Sequence, residues 1–250
     1  ALFCNQIWST STKNMERIVS KQIVFSFLFM LFIGFRGFSQ TPSIVQHVRF
    51  PVWAEVDAYP GLEIPADENQ TEEKTQYDYA IGRIREIVPF LLNGMVYGWE
   101  FVYTPSDKTR GVEEYLEVRV IQNLENETNP IQYSSPWIAD NKFNCWVDYT
   151  RTEFQVQNYY LWSSIQNPSI QGRGKGSLEM GFDGIKKAAE EALKNAILSY
   201  YKNTIKNKPK EIQGKVLIRK IPTIGISSGQ YIINLDFFLE CGKIKEYSQF

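Results

Sequence analysis

The chain has 250 residues, 27 basic and 28 acidic side chains and a formal net charge of −1. Its 43% hydrophobic and 14% aromatic content suits a packed core and argues against a disordered chain. Without a block of basic residues it lacks the electrostatic footprint of a nucleic-acid binder and the polybasic stripe that holds a protein on an anionic membrane.

Residues 1–14 precede Met15 and are expected to be an upstream segment rather than native structure. Residues 15–39 have the three-part layout of a secretory signal peptide. Arg17 and Lys21 supply the positive start. Residues 23–35 are apolar except Ser26 and Gly34, and Gly37 and Ser39 are the small residues before a cut between Ser39 and Gln40. A membrane-spanning helix needs about 20 apolar residues, more than this run offers, so cleavage is expected and no stable transmembrane anchor after it. No cysteine lies between Cys4 and Cys145, which removes the usual site of a lipid anchor. The first 39 residues hold four basic groups (Lys13, Arg17, Lys21, Arg36) and one acidic group (Glu16). The expected mature chain, 40–250, therefore carries 23 basic and 27 acidic side chains, a net charge of −4.

Residues 46–58 alternate, with Phe50, Val52, Ala54, Val56 and Ala58 on one face and Arg49, Trp53, Glu55 and Asp57 on the other. That is the pattern of a half-buried strand. A polar stretch follows. Tyr77, Ile81, Ile84, Val88 and Leu91 then recur at spacings of four and three, one face of an amphipathic helix. Pro89 predicts a kink or restart and Asn93-Gly94 a stop. Strands are predicted over 97–104 and 114–122, joined by a hairpin loop over 105–111. Residues 124–141 read as a polar link.

The second half is expected to repeat the order. Residues 143–162 read as strand-rich, including 154–160, and a Gly-rich loop at 172–176 leads to a helix over about 183–203. Its stripe is Ile185, Ala188, Ala189, Ala192, Leu193, Ala196, Ile197 and Tyr200, and the alanines would let it lie close to a sheet. A closing hairpin over 215–221 and 230–240 turns through Gly225–Gly229. This Ala-rich helix followed by a hairpin resembles the small helix-plus-hairpin domains of bacterial envelope and flagellar-assembly proteins, over less than half of the chain and with no diagnostic residue.

The expected fold is therefore α+β, a two-layer sandwich of mostly antiparallel sheet with two main helices, built from two strand-helix-strand-strand repeats. One domain over 40–250 is favoured over separate halves, 44–123 and 142–241, because each half alone would have a thin core.

Gly225-Ile226-Ser227-Ser228-Gly229 matches the nucleophile elbow of serine hydrolases, but that motif needs a helix after it and a later histidine; here a strand follows and the sole histidine is His47. Gly172-Arg173-Gly174-Lys175-Gly176 lacks the spacing of a phosphate loop and reads as a flexible linker. There is no Cys-x-x-Cys or His-x-x-x-His pair, so no metal and no cofactor is expected. Cys145 and Cys241 sit on strand positions and could pair in an oxidising compartment, the alternative being two buried thiols. Asn69 and Asn126 begin Asn-x-Thr sequons.

Trp53, Glu55 and Asp57 share one strand face, where i and i+2 lie about 7 Å apart. An indole beside two carboxylates is a candidate glycan site, set against the ordinary polar face of a strand. Glu113-Glu114 and Glu190-Glu191 read as solvated charge. The resulting expectation is an exported, periplasmic or secreted cell-envelope protein that serves as a non-enzymatic interaction or structural module, the alternative being a carbohydrate-binding or glycan-acting protein. Its partner would be an envelope protein, the alternative being a glycan held by Trp53, Glu55 and Asp57.

Overall fold

The structure is a computed structural model that describes residues 43–57, 77–124 and 130–247. The export segment with its cleavage pair Ser39 and Gln40, and the sequon residues Asn69 and Asn126, lie outside these residues. Pro42–Phe250 forms one compact unit. A single helical turn, Ser43–Gln46, leads into β1 (His47–Glu55). Then come α1 (Asp78–Val96), β2 (Trp99–Thr104), β3 (Tyr115–Val120), β4 (Gln132–Ala139), β5 (Lys142–Thr150) and α2 (Glu153–Trp162). The chain continues through β6 (Ser169–Ser177), α3 (Phe182–Thr204), β7 (Glu211–Ile218), β8 (Thr223–Ser227) and β9 (Gln230–Lys245). The large sheet has the order β3-β2-β7-β9-β6 with β8 also on β9, and the small sheet is β1-β5-β4. The expected α+β class and two-layer packing are both present.

The Gly-rich stretch is not a linker but strand β6, the edge of the large sheet. Alternate residues of a strand share a face, so Gly172, Gly174 and Gly176 form a ridge without side chains. Gly184, Ala188, Ala192 and Ala196 recur every fourth residue and form the matching stripe on α3. The two backbones approach so closely that a Cβ on Gly172 would lie 1.9 Å from Ala192 O. On Gly174 it would lie 2.0 Å from Ala188 O, and on Gly176 1.9 Å from Gly184 O. The helix also covers the strand's free edge: Lys175 N donates to Glu191 Oε2 (2.6 Å) and Asn195 Nδ2 donates to Arg173 O (2.8 Å). An uncovered edge would be a template for unwanted pairing.

Strand β9 carries the core outward from this contact. Its residues Tyr231, Ile233, Leu235, Phe237 and Leu239 are buried in the main core together with Ile185, Leu193 and Ile197 of α3. Helix α1 lies on the same face: Phe90 stacks on Trp99 at 5.0 Å and meets Phe182 edge-on at 6.0 Å. Its C-terminal half is buried on all sides, because the small sheet contributes Val48, Phe50, Val52 and Ala54 to the same core.

Two expected interruptions of α1 are absent. The helix runs through Pro89 and past Asn93-Gly94 to Val96. Gly94 serves packing, since a Cβ there would meet Ile218 Cδ1 at 2.6 Å and Trp99 Cζ2 at 2.7 Å. The stop comes at Gly98, whose φ of +84° is the left-handed conformation of a helix end. Its N–H and that of Tyr97 both donate to Asn93 O (2.9 and 3.0 Å).

Two further segments differ from expectation. Residues 132–139, expected as link, are β4, paired with β5 through the tight turn at Asp140 and Asn141, both at positive φ. Residues 154–160, expected as strand, belong to helix α2. The strand-helix-strand-strand order does recur, but the pairing does not: β1 leaves the large sheet to pair with β5, whereas β6 stays in it on β9.

Gly174→Ala is expected to destabilise the protein by about 3 kcal/mol or more, since the added methyl meets rigid backbone. Gly82→Ala is the control: it is mid-helix in α1 with nothing within 4 Å of the added methyl, and a gain of about 0.5–1 kcal/mol is expected. Urea denaturation of both variants checks the pair.

Candidate functional site

Helix α2 begins at a capping box. Thr152 Oγ1 accepts from Gln155 N (3.3 Å), and Gln155 Oε1 accepts from Thr152 N (3.0 Å). This reciprocal pair satisfies two donors at a helix start and is why residues 153–162 coil rather than extend. The strand expected over 154–160 gives way to the helix that this cap starts.

The face that α2 turns inward is unusually polar. Gln155 is fully buried, and besides its cap bond it donates through Nε2 to Tyr97 Oη (2.8 Å) and accepts from Tyr149 Oη (3.0 Å). Asn158 Nδ2 donates to Val96 O (3.4 Å). Just before the helix, the buried Arg151 donates to Val45 O (2.7 Å) and Met95 O (3.0 Å), with its guanidinium 4.9 Å from the Tyr159 ring. A cation on the last carbonyls of α1 sits at the negative end of that helix's dipole. Burial pulls the Arg151 guanidinium below its ordinary value, and the nearby phenols Tyr159 and Tyr149 oppose that shift. Trp162 adds an apolar anchor with Leu217 and Phe238. Those two residues alternate with the inward-facing Val216 and Phe237, so α2 reaches the opposite face of the large sheet.

The outward face is correspondingly apolar. Phe154 is 69% exposed, Leu161 71% and Ile165, in the following turn, fully exposed; Tyr160 lies between them at 40%. Residues 154–172 contain no charged side chain. Helix α2 thus exposes Phe154, Tyr160 and Leu161 beside Glu153 and Gln157, and buries the amide of Gln155 beside Val156 and Trp162, so its outward face carries more hydrocarbon than that of an ordinary surface helix. Scattered exposed apolar residues are normal, whereas a group of large ones on one element marks an interaction surface. Sequence reasoning missed this face because 154–160 was read as a strand; the Thr152-x-x-Gln155 pattern was the signal that could have found it.

The residues singled out from sequence are placed as follows. Trp53 is half-buried, its indole N–H donates to Ile224 O (3.3 Å), and Lys142 Nζ lies 4.1 Å from the ring centre. Glu55 is half-buried beside the Tyr231 phenol, which burial and this carboxylate push upward, and Asp57 is exposed. None of the three lines the clefts described here. Cys145 is a buried free thiol on β5 and Cys241 an exposed free thiol on β9, 3.8 Å from Tyr200 Oη. His47 is exposed and its Nδ1 lies 3.2 Å from Thr150 Oγ1. Ser228-Gly229 is a two-residue hairpin turn between β8 and β9, both at positive φ, and no helix follows it. Among the described residues, no group of three or more His, Cys, Asp or Glu side chains is arranged to hold a metal. No helix there is long and apolar enough to cross a membrane.

A second polar cluster lies on the outer side of β9. Burial alone would raise the Asp236 carboxyl, but Arg219, bonded to both its oxygens (2.9 and 2.8 Å), and Lys220 at 3.0 Å hold it below its ordinary value. It closes one end of an open groove of about 430 Å³ that also includes Arg173 and Thr223. With its acid already matched by two cations, the cluster reads as structural.

The inward and outward faces of α2 make opposite predictions. Gln155→Met removes the side-chain hydrogen bonds of a fully buried amide to Tyr97, Tyr149 and Thr152 N and is expected to cost about 3 kcal/mol. Phe154→Ser is expected to stay within about 0.5 kcal/mol of the parent, as an exposed site should. A loss above about 1 kcal/mol for Phe154→Ser, read by denaturant titration, would show that the outward face is not free.

A protein-family model that carries no functional description matches residues 35–247. An uncharacterised protein of Treponema pallidum (strain Nichols) is 28% identical over 209 residues, 83% of this chain and 85% of that protein. No solved structure matches the chain. Since the family match spans the whole described body of the protein, the chain belongs to this family of uncharacterised proteins.

Proposed function

We propose that the protein is exported to the bacterial cell envelope and works there as a non-enzymatic interaction module, engaging an envelope protein through the outward face of α2. The observation that carries the reading is the group of large exposed apolar residues on and just after this helix, Phe154, Leu161 and Ile165, over a polar cluster of Gln155, Asn158 and Arg151. Burying a leucine or phenylalanine in an interface is worth about 1.5–3 kcal/mol each, so a partner can draw useful affinity from three such residues. Their rigid base in the Gln155 cluster means that little order has to be created on binding. The uncharged stretch 154–172 fits the charge-depleted centre of an interface, which charged rims surround. Export is supported by the signal-peptide layout of residues 15–39, and a bacterial setting by the Treponema relative.

Two measurements test the reading. Fractionation of producing cells with N-terminal sequencing is expected to give a mature chain starting at Gln40 outside the cytosol; a chain retaining Met15 in the cytosol would refute export. A photo-crosslinking residue at Leu161 is expected to give one discrete protein adduct in the envelope fraction, and one at Gln213 on the outer sheet face none. Equal labelling at both positions, or none at 161, would refute the assignment of the surface.

A further inference from the structure

The small sheet contains an irregularity with a consequence for ligand binding. Pairing between β4 and β5 runs in register from Gln132 to Ser134 and again from Trp137 to Ala139, with a shift between. Ser135 sits at a φ of +49° in this bulge and Pro136 follows it. A serine in the left-handed region is uncommon and carries some backbone strain. Bulges at sheet edges re-aim side chains and end pairing locally. A cleft of about 200 Å³ lies beside this bulge, lined by residues of α1, β4 and β5.

The walls of the cleft are mostly apolar. Ile81 and Ile84 of α1 form one side, Pro136 the other, and Phe143 and Cys145 of β5 the floor. The Cys145 thiol, with its ordinary value raised by burial, stays protonated and behaves as a small hydrophobe. The polar groups gather at the rim. The Tyr133 phenol and Arg85 are within electrostatic reach of each other. Arg85 is exposed and is the sole charged residue of the lining. It has no ion-pair partner among the described residues, although nine other cations do. The carboxylate of Asp148 does not compete for it, being engaged by Arg49 (3.4 Å) and the Ser134 hydroxyl (3.2 Å).

We propose that this cleft binds a small amphipathic monocarboxylate, with its hydrocarbon between α1 and the bulged strand and its carboxylate at Arg85 and Tyr133. The size fixes the class. An apolar cavity of about 150 Å³ holds a benzene ring, so this one takes a body of about eight carbons, below the size of drug-like ligands. Charge complementarity fixes the head group, because a guanidinium with no ion-pair partner among the described residues, at an apolar rim, matches the planar fork of a carboxylate. The site is separate from the outward face of α2.

The test uses octanoate, with octanol as the uncharged equivalent, titrated calorimetrically into the protein. Saturable 1:1 binding of octanoate is expected. Arg85→Gln should weaken octanoate about fivefold, as an exposed charge contact allows, and leave octanol unchanged. Ile81→Trp, which fills the cleft from a half-exposed position, should remove both ligands. A second readout needs no cleft variant: in Cys4→Ser/Cys241→Ser protein, octanoate should slow the reaction of Cys145 with a small disulfide reagent. No saturable octanoate binding below about 10 mM overturns the proposal. So does binding that survives Ile81→Trp but is lost in Leu161→Glu, which would move the site to α2. An equal loss of both ligands in Arg85→Gln would overturn the assignment of the head group.

Discussion

The contact between β6 and α3 sets the geometry of the rest. Three glycines on one strand face meet a stripe of glycine and alanine on the helix, at a separation where no Cβ on the strand fits. Such a contact gains dispersion energy along two backbones and excludes water from the sheet edge. It also fixes the height of α3 above the sheet. The larger side chains of the helix, Ile185, Leu193 and Ile197, are then committed to the space above β9, where Ile233, Leu235 and Phe237 meet them. Phe182 at the start of α3 abuts Phe90 of α1, so the position of the first helix follows from that of the second. The small sheet is held in turn, because it packs on α1.

A different constraint governs α2. This helix contributes little hydrocarbon to the main core and is held by hydrogen bonds around Gln155, Asn158 and Arg151. A buried polar network that is well satisfied is rigid and specifies one arrangement. Trp162 and Val156 still pack inward, while Phe154 and Leu161 are left exposed.

Much of the architecture was legible where pattern and packing agree. Alternation in residues 46–58 gave β1, and the 3.6-residue stripe from Ile185 to Ile197 gave α3, with its alanines pointing to close approach. What the helix approaches was not legible, because glycines carry no periodic hydrophobic signal and Gly172–Gly176 looked like a linker. Only the partner helix turns that composition into a strand. Gly94 misled in the same way: its role is room for Trp99 and Ile218, and local rules know only turns. Helix α2 was misread since Phe154, Val156, Tyr160 and Leu161 carry no helical stripe when the buried face is amide-bearing. The cleft at β4 could not be foreseen, since it lies beside a bulge inside a segment that read as a link.

If the β6–α3 contact sets the geometry of the fold, it belongs to the most stable unit. Native-state hydrogen exchange measures this directly, because amides in the most stable unit exchange only through global unfolding. The account predicts that protected amides of α3, β6 and β9 share one opening free energy, equal to the global stability from denaturant titration. If α3 or β6 exchanged through an opening about 2 kcal/mol or more below the global value, while β2, β7 and β9 stayed protected, the contact would be a late addition to a sheet that stands without it, and the account would be wrong.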